Sequence, residues 1–437
     1  MLRGKNLQMQ NIKIHRLGPI KDCEISIQEF MVLTGAQASG KSTLAKSIFF
    51  FKNIKNLLLL QIRKRVLMGE DPETKDMSCK NRLIRQIRSN FLQTFGSTWC
   101  MDDEMILEYQ YTPSRYIKIS LTEDEMSPNY IWVEFSLEMT EFLQKLDDYK
   151  IESWEEEEKE LRKKIDVFFD ESMEIVYVPA GRSLITLLSS QLNYIYSSMN
   201  DLQKRSVDYC TQNYLERILR LKPEFAFNYT QLIKNQIELT DKKVDRKFLD
   251  AVVGLMQEIL KGEYINVNGE ERLQISDSQY VKINFASSGQ QEVVWILNVL
   301  FYHLLYNEKA YFIIEEPESH LFPSAQKKVC EFIAAVKNRG NSVLVTTHSP
   351  YILGELNNLL YANNIAQRVQ SNELLKIVNE NKRIDFSKFS AYFLHESVVE
   401  SCLDDEFRSI KNEIIDGASE DINNEFTDMI HLENKGE

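Results

Sequence analysis

An apolar run, Phe30-Met31-Val32-Leu33, leads through Thr34 into Gly35-Ala36-Gln37-Ala38-Ser39-Gly40-Lys41-Ser42-Thr43 and on into a helical stretch. The spacing G-x-x-x-x-G-K-[ST] between a strand and a helix has a physical meaning. Glycines let successive backbone N–H groups turn inward around phosphate oxygens, and the helix N-terminus adds partial positive charge. Lys41 is placed to reach the β- and γ-phosphates and the Ser42 hydroxyl to ligate Mg²⁺. The alternative for the same residues is a tight strand-to-helix turn with an exposed lysine.

The rest of the chain supplies neighbours for that strand. With 437 residues, 43% of them hydrophobic and 27% charged, the composition is that of a folded globular protein, and the length accommodates two to four domains. The strands expected before the loop are Ile12-Lys13-Ile14 and Cys23 to Ile27, joined by a turn at Gly18-Pro19. Alternation from Met105 to Leu137 predicts an antiparallel β-lobe. From Thr140 to Lys164 the pattern turns helical and highly charged, with Glu155/Lys159, Glu158/Arg162 and Glu160/Lys164 four residues apart, as on a solvated helix or a short arm. A strand at Glu174 to Val178 precedes a helical lobe reaching about Leu260, and Asn268-Gly269 predicts a two-residue hairpin turn. An α/β return follows: helix, strand Tyr311 to Ile314, helix, strand Val343 to Thr346. The expected division is 1–138, with the loop and the β-lobe; 139–262, a helical insertion interrupted by a strand near 173–182; 263–395; and 396–437, an acidic helical tail.

Charge and cysteine usage narrow the setting. The formal net charge is −13, yet Lys52 to Arg88 carries ten Lys/Arg against four acids, and Glu396 to Glu437 carries thirteen acids against three bases. The basic segment (Lys52, Lys55, Arg63, Lys64, Arg65, Lys80, Arg82, Arg85, Arg88) could neutralise nucleic-acid phosphates, or simply be a solvated helix face. The acidic tail would repel nucleic acid. Six dispersed cysteines with no CxxC pair fit the reducing cytoplasm. Val293 to Tyr306, the longest apolar stretch, is shorter than the ~20 residues a bilayer crossing needs, so it reads as a buried helix and no membrane partner is expected.

Three further motifs bear on chemistry. Phe312-Ile313-Ile314 ends in Glu315-Glu316, an apolar strand delivering two carboxylates: Glu315 on the metal side and Glu316 as general base. The other reading of this run is a metal-nuclease cluster or a solvated loop, with Glu318 and His320 nearby. Past the next strand, His348 can hydrogen-bond a γ-phosphate and report its presence. Ser287-Ser288-Gly289-Gln290 precedes the apolar helix and offers a second anion site at a helix N-terminus.

Phosphate loop, serine-glycine-glutamine signature, Glu-Glu strand end and late histidine, in that order, resemble the ATP-binding-cassette ATPases. Leu17-Gly18-Pro19, Val178-Pro179-Ala180-Gly181-Arg182-Ser183, Glu315-Glu316-Pro317-Glu318-Ser319-His320-Leu321-Phe322-Pro323 and Thr347-His348-Ser349-Pro350 look more narrowly like the bacterial OLD-like and SMC-like ATPases. The resemblance covers roughly 10 to 50, 170 to 190 and 280 to 400. It implies an α/β fold, a P-loop ABC-ATPase head of mixed sheet flanked by helices, beside the β-lobe and the inserted helical lobe. It also implies a homodimer, open to higher homo-oligomers, with ATP and Mg²⁺ held between the Lys41 loop of one copy and Ser288-Gly289-Gln290 of the other. Carried over, Ser42 and Glu315 are Mg²⁺ ligands, Glu316 the base and His348 the γ-phosphate switch; Arg16 falls near the adenine.

Two departures stand out. Glu315 occupies a position where Asp is usual, and no clear Q-loop glutamine is present, Arg182 and Gln191 being nearest in order, so hydrolysis is expected to be slow. OLD-family nucleases carry a Toprim domain behind the ATPase; Asp404-Asp405-Glu406 has no preceding apolar strand and no D-x-D pair, so an acidic helix and no nuclease is expected here. The architecture resembles the ATPase subunits of two-component anti-phage systems of the Septu, PARIS or retron-linked kind, in which a separate nuclease or toxin is the effector. The alternatives are an SMC-like DNA-repair ATPase, for which the insert between Lys41 and Gly289 is too short to form a long coiled-coil arm, and a transporter's nucleotide-binding subunit.

Overall fold

Both faces of the strand that feeds the glycine loop are dry. In this computed structural model Phe30 and Val32 pack into one apolar layer and Met31 and Leu33 into another, none more than 1% exposed. The same division holds for Phe312 and Ile314 against Tyr311 and Ile313, and for Val176 and Val178 against Ile175 and Tyr177. Near-continuous apolar runs are the mark of parallel strands covered on both sides. The structure describes residues 9–68, 77–122, 129–147, 149, 154–183, 185–186, 198–200, 207–240, 244–415, 425, 427 and 429.

Strands β1 (Asn11–Leu17), β2 (Ile20–Ser26) and β3 (Phe30–Gly35) open the chain; β4 (Ile106–Thr112), β5 (Arg115–Leu121) and β6 (Ile131–Phe135) form the alternating lobe, and β7 (Glu174–Val178) stands alone. A separate three-stranded sheet comprises β8 (Glu263–Val267), β9 (Glu270–Ser276) and β10 (Gln279–Lys282). Then come β11 (Ala310–Glu315), β12 (Ser342–Thr347), β13 (Phe389–His395) and β14 (Val398–Ser401), with the short pair β15 (Leu403–Asp404) and β16 (Ser409–Ile410). One eleven-stranded sheet runs β6-β5-β4-β1-β2-β14-β13-β3-β12-β11-β7. From β13 to β7 every pairing is parallel, whereas β6-β5-β4-β1-β2 is an antiparallel meander in space. This is the expected α/β class, a large mixed sheet flanked by helices.

Helices cover both layers. Lys41–Lys52 and Ile54–Met68 bury Leu44, Ile48, Phe49, Leu58 and Ile62 on the side of Met31. Ser288–Tyr306 and Pro323–Lys337 bury Trp295, Val299, Phe332 and Val336 on the side of Phe30. No helix among the described residues is long and apolar enough to cross a membrane. The hairpin expected at Asn268-Gly269 is present, with φ of +52° and +85° joining β8 to β9, as a two-residue turn of this hand requires. The charged stretch after Thr140 is not a free arm: Trp154, Leu161 and Ile165 of helix Trp154–Phe168 are buried, while Arg162 pairs with Glu158 and Lys164 with Glu160 on its outer face.

Two expectations are corrected. Residues 398–401, 403–404 and 409–410 are strands, and Asp404 ends β15 with Asp405 and Glu406 in the turn to β16, where an acidic helix was expected. The pairing of β14 with β13 and β2 decides this, since strand formation depends on its neighbours more than on intrinsic preference. The acidic residues beyond 415 lie outside the described residues except for Glu425. The basic segment is also partly withdrawn from solvent: Lys52 (3% exposed) binds Glu171, and Lys55 (4%) binds Asp166 at 2.8 Å. Arg88 donates to the Ile131 carbonyl and stacks on Tyr130. Arg63, Lys64 and Arg85 remain exposed, so fewer basic groups face solvent than the run of Lys and Arg suggests.

Candidate active site

The loop at the C-terminal end of β3 holds its shape by three left-handed residues, Gly35 (φ +138°), Ala38 (+61°) and Gly40 (+104°). At Gly35 a Cβ would stand 2.2 Å from the Leu394 carbonyl oxygen of β13, and at Gly40 2.7 Å from Ile20 Cγ1. Only glycine fits either place. Helix Lys41–Lys52 starts directly at Gly40 with no side-chain cap, so its first N–H groups have no capping side chain and are available to an anion. Ala36, Gln37, Ala38 and Ser42 are exposed at the mouth, Thr43 is half-buried, and the hydroxyl of Ser39 is buried without a partner.

Lys41 turns back over the loop. Its Nζ donates to the carbonyls of Gly35 (2.9 Å) and Ala36 (2.7 Å) and lies 3.4 Å from His348 Nδ1. Burial lowers the Lys41 ammonium below the usual lysine range, opposed by the pull of Glu316, Glu318 and Glu315. His348 Nε2 in turn lies 3.3 Å from Glu316 Oε1. One imidazole therefore links the lysine of the phosphate loop to the carboxylate at the end of β11.

Glu316 has φ +42°, a left-handed conformation that β-strand ends rarely impose on a glutamate. Its backbone is pinned: its N–H donates to the Thr346 carbonyl at 2.9 Å, and its own carbonyl accepts from Ser319 Oγ and from Arg182 Nη2, each at 3.0 Å. Glu315 accepts from the Ala180 N–H at 3.1 Å through Oε2; its buried Oε1 has no close hydrogen-bond partner among the described residues, though the buried Tyr177 hydroxyl interacts with this carboxylate. A carboxylate oxygen and the Ser42 hydroxyl are the hard oxygen donors a magnesium ion takes, so the residues fit the ion. Glu318, unremarked by sequence beyond its place in the motif, is buried. Burial raises its carboxyl above the usual range, while it accepts from Thr347 Oγ1 (2.6 Å) and the His348 N–H (2.9 Å), fixing the histidine turn.

Arg182, nearest in order to a Q-loop position, faces backbone carbonyls. Fully buried, its guanidinium donates to the carbonyls of Pro179, Glu292, Glu315 and Glu316 at 2.6 to 3.1 Å, and the Glu292 carboxylate accepts from the N–H groups of Arg182 and Ser183. It ties the acidic strand end to helix Ser288–Tyr306. Gln191 lies outside the described residues.

The serine-glycine-glutamine run starts that helix. Ser287 and Gln290 form a capping box, Ser287 and Ser288 are exposed, and Gly289 packs so closely on the His320 carbonyl that a Cβ there would stand 2.6 Å from it. The flanking Phe285 and Phe322 are 81% and 76% exposed. On the other side of the phosphate loop a cleft of about 1240 Å³ is lined by Arg16, Ser42, Thr43, Lys46 and Trp99. Arg16 stands at its wall, paired with Glu104 (2.9 Å) and Asp102 (3.4 Å). Trp99, 74% exposed, belongs to this cleft too, and no sequence spacing marked it because it sits in a one-turn 3-10 helix, Thr98–Cys100, too short to show a period.

A family described as AAA ATPase domain (AAA_15) matches residues 8–353. No curated protein matches the chain. Among solved structures it is similar to an Smc head bound to the C-winged helix domain of ScpA (10% identity, 90% of this chain and 96% of that chain covered, TM-score 0.39). An Smc head with an extended coiled coil bound to the C-terminal domain of ScpA, from Pyrococcus furiosus, gives 13% identity, 95% and 100% coverage and a TM-score of 0.37. The SMC head domain from Thermotoga maritima gives 10%, 90% and 98%, and 0.36.

Proposed function

The chain belongs to the AAA_15 family of AAA ATPase domains and is an ATP-binding ATPase, and from that premise we propose that it hydrolyses ATP between two copies of itself and uses the resulting assembly to control a separate effector, a nuclease or toxin, in defence against phage. The observation that carries the hydrolytic part is the imidazole of His348 set between Lys41 Nζ and Glu316 Oε1. When phosphates enter, Lys41 exchanges the Gly35 and Ala36 carbonyls for β- and γ-phosphate oxygens. Glu316 takes the proton of the attacking water, and His348 hydrogen-bonds the γ-phosphate from the same turn. Ser42 and Glu315 would hold Mg²⁺, which neutralises charge developing on the phosphates. Arg16 and Trp99 border the space left for the base.

The second copy supplies Ser287, Ser288, Gly289 and Gln290. The exposed helix start offers N–H groups to the γ-phosphate across the interface, and the exposed Phe285 and Phe322 beside it suit burial against a protein surface. The strands after His348, β13 and β14, complete the ATPase sheet. The cytoplasm is the compartment in which five buried free cysteines and one exposed one would persist reduced.

Light scattering with and without ATP·Mg²⁺ tests this, on wild type, Lys41→Ala and Glu316→Gln, with proteins co-purifying from the native operon identified. Expected are a stable dimer mass for Glu316→Gln in ATP, none for Lys41→Ala, and turnover in Glu316→Gln lowered by about 10²–10⁴-fold. Wild-type turnover in Glu316→Gln removes that residue from the base role. A lone protein that dimerises on ATP and binds DNA replaces the effector reading with an SMC-like DNA-maintenance one.

A further inference from the structure

At the end of the sheet opposite the phosphate loop, three elements converge on one buried imidazole. Glu174 is the first residue of β7, and its N–H donates to the Lys309 carbonyl at 3.1 Å. Helix Ser288–Tyr306 ends at Asn307 with φ +54°, and that turn sends the Glu308 N–H back to the His303 carbonyl at 3.0 Å. One donor atom each of Glu174, His303 and Glu308 thereby comes within 4.8 Å of the others. His303 is 1% exposed, and neither ring nitrogen has a hydrogen-bond partner among the described residues. Its Nε2 lies 3.8 Å from Glu174 Oε2, beyond hydrogen-bond reach, and its ring is set edge-on to Phe312 at 5.1 Å. Buried polar side chains nearly always have a partner, so an unpartnered imidazole facing two carboxylates calls for an occupant.

We propose that Glu174, His303 and Glu308 form a binding site for a divalent transition-metal ion, zinc foremost. One imidazole and two carboxylates with a solvent-facing fourth position is a donor set that zinc accepts. Bonds of about 2.1 Å in a tetrahedron put ligand atoms ~3.4 Å apart. The His303 Nε2 to Glu174 Oε2 separation of 3.8 Å is wider, and the closing movement falls to the exposed Glu308 and the half-exposed Glu174, because His303 is fixed by packing. Arg217 donates to Glu174 Oε1 at 2.8 Å, with Arg220 3.6 Å from the same oxygen, which leaves Oε2 directed to His303. These guanidiniums also weaken the attraction for a cation, so the site favours an ion that bonds to nitrogen over a hard ion held by charge alone. Occupied, it would staple the C-terminal end of the helix whose N-terminus carries Ser288 and Gly289 to the first residue of β7.

The test titrates zinc into the chelator-stripped full chain against a chromophoric chelator, for wild type, Glu308→Ala and His303→Asn, with melting temperatures taken in parallel. Glu308 is exposed, so its variant keeps the core and carries the decision. Expected is a zinc ion bound by wild type with an affinity reduced on the order of 100-fold in Glu308→Ala, since losing even an outer-shell partner of a metal ligand costs about 10–100-fold. A zinc-dependent rise in melting temperature should vanish in both variants. Equal zinc uptake by wild type and Glu308→Ala, as zinc held elsewhere would give, overturns the assignment, and so does a wild type that takes up none.

Discussion

Replacing Arg182 by Met tests whether the catalytic strand end is held from behind. The guanidinium has no exposed surface and donates to four backbone carbonyls, and Nε stands 3.4 Å from the Glu292 carboxylate. Methionine fills much of the volume but leaves those carbonyls unpaired and the buried Glu292 without its cation. Breaking a buried ion pair by removing one member costs about 3–5 kcal/mol, and stranding each buried acceptor adds to that, while the whole fold of such a protein is stable by about 5–15 kcal/mol. A loss of about 4 kcal/mol is therefore expected, read as a lower denaturant midpoint. Turnover should fall together with stability, because the Glu316 carbonyl loses one of its three donors while φ +42° still has to be maintained. Arg182→Lys keeps the charge but not the fork, and should lie between the two. A midpoint for Arg182→Met within 1 kcal/mol of wild type would refute the reasoning and leave Arg182 as filling.

Gly35→Ala puts a methyl 2.2 Å from the Leu394 carbonyl at a φ that L residues avoid, so it should cost about 1–3 kcal/mol and weaken ATP binding, measured by thermal melting and nucleotide titration. Glu171 is buried against Lys52 and Lys55; burial works to raise its carboxyl, yet the two lysines hold it below the usual range. A depressed carboxyl stabilises the fold fully above its unfolded pKa of about 4.3, and this is lost as pH falls through the lower folded value. Denaturant midpoints from pH 7 down to pH 3 should therefore drop more steeply for wild type than for Glu171→Gln, which lacks the proton-linked step.

Local patterns reached the strands and the loop but not the pairings. Phe30 to Leu33, Phe312 to Ile314 and Val343 to Val345 are legible because strands buried on both faces are apolar at every position, and Asn268-Gly269 because the turn demands left-handed residues. β14 is not legible: Val398-Val399-Glu400-Ser401 has no amphipathic contrast, and its strand state comes from β2 and β13. Lys52 and Lys55 look like any solvated basic pair until Glu171 and Asp166, more than a hundred residues away, fold against them. The role of Arg182 was hidden likewise, since its partners are carbonyls, which every residue has.

The sheet order has a consequence for how the protein is made. β3, which ends in the phosphate loop, is synthesised long before its two sheet neighbours, β12 and β13, which follow it far along the chain. Until Phe389 to Leu394 arrives, the carbonyl that closes over Gly35 does not exist and both edges of β3 stand open. The phosphate loop thus lacks its closing wall until late in synthesis, and an interrupted translation product displays apolar strand edges for chaperones and proteases to find.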